Sequence, residues 1–170
     1  MPKRCVLIAI FALGLTTTNF GQTKDEPVGK RTAVIISKID DSVVNEFQKA
    51  WSLSGSGLDK AEALVLLYRM PDGSITARSL GRSGLSRCFS FTMTAAIIAV
   101  VHTHPNGDDP KPVGPDLQLA DRYGIPIFTI TRLGMYVYDP DTRKTSLVQN
   151  RLDWLSSAKW NHDWQRVAQR

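Results

Sequence analysis

Two of the three histidines of this chain stand two residues apart, and their spacing suits a shared metal ion. His102 and His104 occur in the stretch VHTHPNGDDPKPVGPD, which ends at Asp116. Residues i and i+2 of a strand point to the same face with Cα atoms about 6.5 to 7 Å apart, and two imidazoles can close that span around one ion at about 2.0 to 2.1 Å each. Asp116 offers a third ligand. We therefore predict a metal site formed by His102, His104 and Asp116.

The residues on either side of the histidine pair predict how the two imidazoles are held. Residues 95–101 are continuously apolar and partly β-branched, which is typical of a buried strand that delivers the histidines at its exit. Four of the nine prolines then fall between Pro105 and Pro115. Prolines exclude regular structure, but they are favoured at the first turn of a helix. We therefore expect a loop after His104 and a helix that begins near Asp116.

The motif as a whole resembles a known signature. The pattern His-x-His-Pro, seven further residues and then Ser-x-x-Asp belongs to the JAB/MPN (JAMM) zinc metallopeptidase family. This chain is similar to it at His102, His104, Pro105 and Asp116. The family's serine falls on Val113, which has no hydroxyl. The residues that follow the motif look like those of secreted bacterial members, and the similarity covers about half of the chain.

The resemblance implies a fold and a reaction. The fold is α/β, a single three-layer domain of the cytidine-deaminase-like JAB/MPN type with a mixed central sheet flanked by helices. The reaction is that of a Zn²⁺-dependent peptidase or isopeptidase, in which a glutamate on a neighbouring strand is the general base. Glu62, directly before the apolar run 63–68, matches that glutamate. Three ligands leave zinc one open position, where a water of pKa about 7 can attack an amide.

Several of these assignments have alternatives in the sequence. The family's serine is thought to assist the tetrahedral intermediate, and losing such a donor costs roughly 10² to 10³ in rate. The domain could therefore be a catalytically impaired or inactive binding scaffold. Glu46 could replace Glu62 as the base, and Asp108 or Asp109 could replace Asp116 as the ligand. Thr103, Asn106 or the Asn106-Gly107 backbone could supply a substitute donor. Cys88 is predicted to be a small buried apolar residue, with a metal contact as the alternative, and His162 is predicted on the surface of a helix.

Hydrophobic periodicity and turn residues predict the remaining elements. Residues 32–38 have the β-branched content of a first strand, and Asp40 or Asp41 caps a helix that ends at the Gly/Ser segment 54–57. The sequence Pro-Asp-Gly at 71–73 predicts a hairpin turn. The other segments are strands over 63–68, 74–80, 126–131, 135–138 and 145–148, a loop over 81–94, a helix over 116–123, and an amphipathic terminal helix over 152–167 whose tryptophans pack in the core.

The first residues have the layout of a secretory signal peptide. Lys3 and Arg4 precede an eleven-residue apolar run from Cys5 to Leu15, which is too short to span a membrane. We predict a signal peptide over residues 1–22, a flexible mature N-terminus over 23–30 and a JAB/MPN-like domain over 31–170. The mature protein would then be secreted or periplasmic, without stable membrane insertion.

Charge and cysteine content limit the classes of partner. The formal charge is +5, and without Lys3 and Arg4 it falls by two to +3, which is too weak and dispersed for a nucleic-acid surface. Cys88 is the only cysteine after the leader, so an intramolecular disulfide and the cysteine pair of nucleobase deaminases are both excluded. Export favours a peptide or protein substrate, such as one in the cell envelope. The sequence leaves the oligomeric state undetermined.

Overall fold

The structure, a computed structural model, describes residues 28–84 and 88–160, which build one six-stranded sheet with helices on both faces. The helices are α1 (Lys30–Ile36), α2 (Asp41–Leu53) and α3 (Gly114–Tyr123). The strands are β1 (Ala63–Arg69), β2 (Ile75–Arg82), β3 (Ile97–Thr103), β4 (Ile127–Thr131), β5 (Gly134–Asp139) and β6 (Lys144–Asn150). The mixed α/β architecture agrees with the prediction at this level.

The strand order β2-β1-β3-β4-β5-β6 places β3 inside the sheet. Strands β3 and β4 are parallel, and the other neighbouring pairs are antiparallel. A parallel pair needs a crossover connection between its strands. Here the crossover consists of the proline-rich loop and α3, so the connection that the topology requires also carries His104 and Asp116, two of the candidate site residues.

Alternate residues of the central strands enter two separate hydrophobic cores. Val65 and Leu67 of β1 pack with α1 and α2 on one side of the sheet, which we call the α2 face. Leu64 and Leu66 pack with α3 on the other side, the α3 face. The alternation follows from the two-residue period of a strand. A side chain's position along β1 or β3 therefore decides which helix it can meet.

Two local predictions are confirmed in detail. Asp40 caps α2, because its side chain accepts a hydrogen bond from the Val43 amide at 3.1 Å. The predicted turn at 71–73 joins β1 to β2. There the Asp72 carboxylate accepts from the Ser74 amide at 2.9 Å, and Gly73 has a φ of +80° that favours glycine.

The predicted strand over residues 32–38 is wrong, because this segment forms α1. The Gly29 amide donates to the buried carboxylate of Asp139 at 2.8 Å directly before the helix begins. Thr32, Ala33 and Ile36 are buried and follow the helical spacing of a single face. Burial against the α2 face therefore outweighed the weak preference of β-branched residues for strands.

The predicted terminal helix is wrong over residues 152–160. Residues 152–160 contain only two 3₁₀ turns, Asp153–Leu155 and Ser157–Lys159. Both tryptophans of this segment are buried as predicted: Trp154 donates its indole N–H to the Thr131 carbonyl at 3.0 Å, and Trp160 donates to the Trp154 carbonyl at 3.1 Å. The backbone follows an irregular path here because each buried indole N–H needs an acceptor.

Some predictions fall outside the described residues. They are the signal peptide over 1–22, most of the segment 23–30, and the end of the terminal helix with Trp164 and His162. Val28 is described and is buried in the core of the α2 face. Within 28–84 and 88–160, no helix has both the length and the apolar character needed to cross a bilayer.

Candidate metal centre

A buried group of three side chains at one end of the sheet has the composition of a metal site. Glu62, His102 and His104 each offer one ligand atom, and these atoms all lie within 4.8 Å of one another. The three residues are 2%, 3% and 0% exposed. Imidazole and carboxylate are both ligands that zinc accepts. The group could therefore hold a metal ion.

Strand pairing brings Glu62 to the histidines. Glu62 directly precedes β1, and Leu64 of β1 pairs with His102 of β3 in the antiparallel register. Because side chains alternate along a strand, Glu62 points to the same side as Leu64, and His102 to the same side as Val100. Leu64 and Val100 both pack on the α3 face. The register thus aligns Glu62 and His102 on the face that α3 covers.

The imidazole of His102 lies between two carboxylates. Its Nδ1 is 3.5 Å from Oε2 of Glu62, and its Nε2 is 3.3 Å from Oδ1 of Asp116. Asp116 is buried as well, but it does not belong to the set of three mutually close ligand atoms. The structure therefore brings the predicted ligand Asp116 to one histidine, and the predicted base Glu62 to both.

The second histidine is oriented by the loop that follows it. Nδ1 of His104 lies 2.6 Å from the carbonyl oxygen of Asp109. A carbonyl oxygen can only accept, so in the neutral ring Nδ1 carries the proton and Nε2 keeps its lone pair. Nε2 is buried and has no hydrogen-bond partner among the described residues. Metal-binding histidines commonly have this arrangement, in which one nitrogen donates to a carbonyl and the other binds the ion.

Asp116 is placed by the first turn of α3. Pro115 stands in that turn, as expected at a helix start. Oδ2 of Asp116 accepts from the amide of Val113, the N-cap residue, at 2.8 Å, which leaves Oδ1 on the side of His102. The same carboxylate thus satisfies a helix-end donor and contacts the site. The cap position itself has no side-chain acceptor, because it is valine.

Burial and the two carboxylates shift the pKa values of the histidines in opposite directions. Burial alone would lower the pKa of His102, but Asp116 and Glu62 outweigh burial and raise it to about 10. Burial, and then the charge on His102, lower the pKa of His104 to about 4. Burial would raise the pKa of Asp116, yet His102 and the Val113 amide hold it below its usual value. Without a metal, His102 is therefore the cation of the group and His104 is neutral.

The loop between His104 and α3 is held by several hydrogen bonds to other parts of the fold. The Asn106 amide donates to the Gly57 carbonyl at 2.6 Å, and the Asn106 side chain donates to the Ser56 carbonyl at 3.1 Å. Farther along the loop, the Thr129 hydroxyl donates to the carbonyl of Pro110 at 2.5 Å. These bonds join the loop to the turn after α2 and to β4. They hold the Asp109 carbonyl where it meets His104.

The structure does not favour the alternative residues. Glu46 of α2 accepts from the Ser79 amide at 2.7 Å, and α2 packs on the opposite face. The Asp109 side chain is engaged with the Lys111 amide at 3.0 Å. Among the described residues, the set of mutually close ligand atoms includes neither Asp108, Asp109 nor Cys88.

Two of the proposed substitute donors, Thr103 and Asn106, are engaged elsewhere. The Thr103 hydroxyl accepts from the Ala63 amide at 2.9 Å, and residue 103 alternates with His102, so it lies on the other face. Both the amide and the side-chain nitrogen of Asn106 donate to the turn after α2. Neither residue therefore replaces the missing serine hydroxyl in this arrangement.

Two hydrogen bonds at the site involve a residue for which no role was predicted. Ser83, in the segment predicted only as a loop, bonds the backbone of Glu62. No local pattern marks such a contact, because it joins the end of one strand to the start of its neighbour.

No protein-family model, curated protein or solved structure matches this chain. The site is therefore defined by its own residues, which are two buried imidazoles and two buried carboxylates, one on each side of His102. Such a set can bind a divalent cation and place a carboxylate next to it.

Proposed function

We propose that this chain is a zinc-dependent hydrolase that cleaves an amide or isopeptide bond, with the cytidine-deaminase-like fold that its resemblance to the JAB/MPN family implies. The convergence of Glu62, His102 and His104 in one buried group carries the proposal. A mixed sheet with helices on both faces is compatible with that fold.

In this proposal His102 and His104 hold the ion through Nε2, and Asp116 is the third ligand. Ligands of a tetrahedral zinc at about 2.0 to 2.1 Å lie roughly 3.3 Å from each other, and Oδ1 of Asp116 is 3.3 Å from Nε2 of His102. Nδ1 of His104 donates to the Asp109 carbonyl, so the lone pair of this ring is on Nε2. This supports Nε2 as the ligand atom of His104.

Glu62 is then the general base. Its carboxylate lies within 4.8 Å of a ring nitrogen of each histidine, and its Oε2 is 3.5 Å from Nδ1 of His102, the nitrogen that Nε2 coordination leaves for a proton. A zinc ion held at this site would act as a Lewis acid and lower the pKa of a water to about 7. Glu62 would accept a proton from a water polarised in this way and pass it to the departing amine, a role that contributes roughly 10² to 10⁴ in rate.

A binding scaffold without turnover is the second candidate, and two observations favour it. Val113 supplies no hydroxyl beside Asp116. The side chains of Glu62, His102 and Asp116 are only 3% to 4% exposed, so a substrate reaches the site only if residues that cover it move. In the scaffold, the same residues stabilise the crossover connection and bind no substrate.

Elemental analysis of the purified protein, followed by an activity assay, tests the proposal. We expect one zinc per wild-type chain and none in Asp116→Ala, while Asp121→Ala, on the same helix, retains it. The zinc-loaded protein is then assayed on quenched peptides joined through an α-amide or a lysine ε-amide. Zinc with chelator-sensitive cleavage supports the hydrolase, and zinc without cleavage supports the scaffold. A folded wild-type protein that takes up no zinc contradicts the metal site itself.

The leader-like first residues place this activity outside the cytoplasm in our proposal, with peptide cross-links or proteins of the cell envelope as substrates. Fractionation of cells that express the full chain tests the location. Recovery of the intact chain from the cytoplasm alone contradicts export.

A further inference from the structure

The backbone at Glu62 is held by two hydroxyls, that of Ser83 directly after β2 and that of Thr103 at the end of β3. The Glu62 amide donates to the Ser83 hydroxyl at 2.9 Å, and the Ser83 amide donates back to the Glu62 carbonyl at 2.7 Å. The next amide along the chain, that of Ala63, donates to the Thr103 hydroxyl at 2.9 Å. Two consecutive amides thus bond to side-chain oxygens in place of the usual backbone carbonyls of a strand ladder.

These hydrogen bonds lie where the regular strand no longer fixes the chain. Glu62 is one residue outside β1, and the pairing of β1 with β2 shifts register between Leu64 and Val65. Irregularities of this kind re-aim side chains near functional sites. Ser83 is 7% exposed and Thr103 is fully buried, so water does not readily replace either hydroxyl. The direction in which the Glu62 side chain points therefore depends on the hydrogen bonds from its backbone to Ser83 and from the next amide to Thr103.

We propose that Ser83 is a positioning residue for Glu62, with Thr103 as its counterpart on the other side of β1. Neither hydroxyl touches the imidazoles in this role, because both act on the backbone that carries the Glu62 carboxylate. That carboxylate lies 3.5 Å from His102, so a small displacement of the backbone changes the surroundings of the ion. The inference rests on the proposed function, since its readout is zinc binding.

The test compares two serines of the same hairpin. Ser79 on β2 also accepts a backbone hydrogen bond through its hydroxyl, from the Gly81 amide at 3.2 Å, but its strand partner is Val65 and not the segment at Glu62. The zinc affinity of the full chain is measured by competition with a chromogenic chelator. We expect Ser83→Ala to weaken zinc binding by about 10- to 100-fold, the usual effect of losing a partner that orients a metal site. Ser79→Ala should leave zinc affinity unchanged, and Ser83→Thr should restore it.

A second comparison separates positioning from a general loss of stability. In a Glu62→Gln background, Ser83→Ala should have a much smaller effect on zinc affinity, because residues that act through one another are not additive. Thr103→Val and Thr103→Ser repeat the measurement without and with a hydroxyl if Ser83→Ala does not fold.

Equal zinc affinities for Ser83→Ala and Ser79→Ala overturn the inference and leave the proposed function standing. An effect of Ser83→Ala that is unchanged by Glu62→Gln also overturns it. If the wild-type protein binds no zinc, the proposed function and this inference fail together.

Discussion

Oδ2 of Asp116 accepts a hydrogen bond from the amide of Val113 at 2.8 Å, three residues back across the start of α3. Half of a capping box is therefore present, since the N3 carboxylate reaches back to the cap residue, but the cap side chain has no oxygen to complete it. The position at which the JAB/MPN pattern has its serine is thus also a helix cap that lacks its acceptor.

Val113→Ser should give α3 a side-chain cap and should place a hydroxyl donor beside Asp116. A serine cap contributes about 0.5 to 2 kcal/mol to helix stability, which offsets the removal of the half-buried valine side chain. On an amide substrate, turnover should rise by up to roughly 10² to 10³ if the hydroxyl supplies the missing donor. Turnover of the zinc-loaded proteins is compared with that of Val113→Ala, which removes the valine without adding a hydroxyl. Equal rates for the two variants would contradict the prediction.

Replacing His104 by asparagine should remove the metal while keeping the hydrogen bond to the loop. An asparagine amide can donate near the position of Nδ1, so the bond to the Asp109 carbonyl has a replacement, but nothing then occupies the position of Nε2. We expect His104→Asn to lose zinc as completely as His104→Ala, with a smaller loss of unfolding free energy. Zinc content and urea unfolding give the two readouts. The assignment of Nε2 as the ligand is wrong if His104→Asn retains stoichiometric zinc.

Glu62→Gln should separate the roles of the two carboxylates that flank His102. If Glu62 is the base, the variant keeps one zinc at micromolar protein concentration, and its turnover falls by roughly 10² to 10⁴. Glu46→Gln is the control, because Glu46 bonds the Ser79 amide away from the histidines. Loss of zinc from Glu62→Gln, together with retention in Asp116→Ala, would instead make Glu62 the ligand.

Tyr138 should make the unfolding free energy fall at high pH. Burial, together with the bond from its hydroxyl to Asp121 at 3.0 Å, raises the pKa of Tyr138 from 10.0 to about 12. The unfolded chain therefore loses this proton first as the pH rises. The stabilisation is fully present below pH 10 and is lost as the pH approaches 12, with a slope of up to about 1.4 kcal/mol per pH unit.

Urea unfolding of Tyr138→Phe on either side of pH 10 checks this dependence. At neutral pH the variant should lose about 1 kcal/mol of unfolding free energy, because it lacks the hydrogen bond to Asp121. The steep fall of its unfolding free energy at alkaline pH should also disappear. Tyr123→Phe, on α3, is the control for tyrosine ionisation in general. The prediction fails if Tyr138→Phe and the wild-type protein have parallel curves above pH 10.

Gly57→Ala should lower the thermal stability of the protein more than Gly107→Ala, because the loop after His104 is hydrogen-bonded to the turn that contains Gly57. Both glycines have a positive φ, +75° and +95°, so either alanine is strained by about 1 kcal/mol or more. At Gly57 the added Cβ would also lie 2.8 Å from the Trp51 ring and 2.9 Å from Oδ1 of Asn106, whereas at Gly107 nothing lies within 4 Å. Thermal unfolding of the metal-free proteins measures the difference. Equal unfolding midpoints would contradict the prediction, because the turn after α2 would then accept the alanine without loss of stability.

The features that depend on neighbouring residues could be predicted from the sequence alone. The strand before His102, the helix start at Asp116, the cap of α2 and the β1-β2 hairpin all follow from periodicity, proline and turn chemistry within short segments. These preferences act over a few residues, so they need no knowledge of the rest of the chain.

Only the tertiary structure decided the features that depend on distant partners. Residues 32–36, whose composition predicted part of a strand over 32–38, belong to helix α1 because the α2 face offers burial. The antiparallel register of β1 with β3 brought Glu62 to His102, and hydrogen bonds across strands brought Ser83 and Thr103 to the backbone beside it. The physical reason is that burial and strand register are settled between segments far apart in the chain, where local propensities of a few tenths of a kcal/mol are easily outweighed.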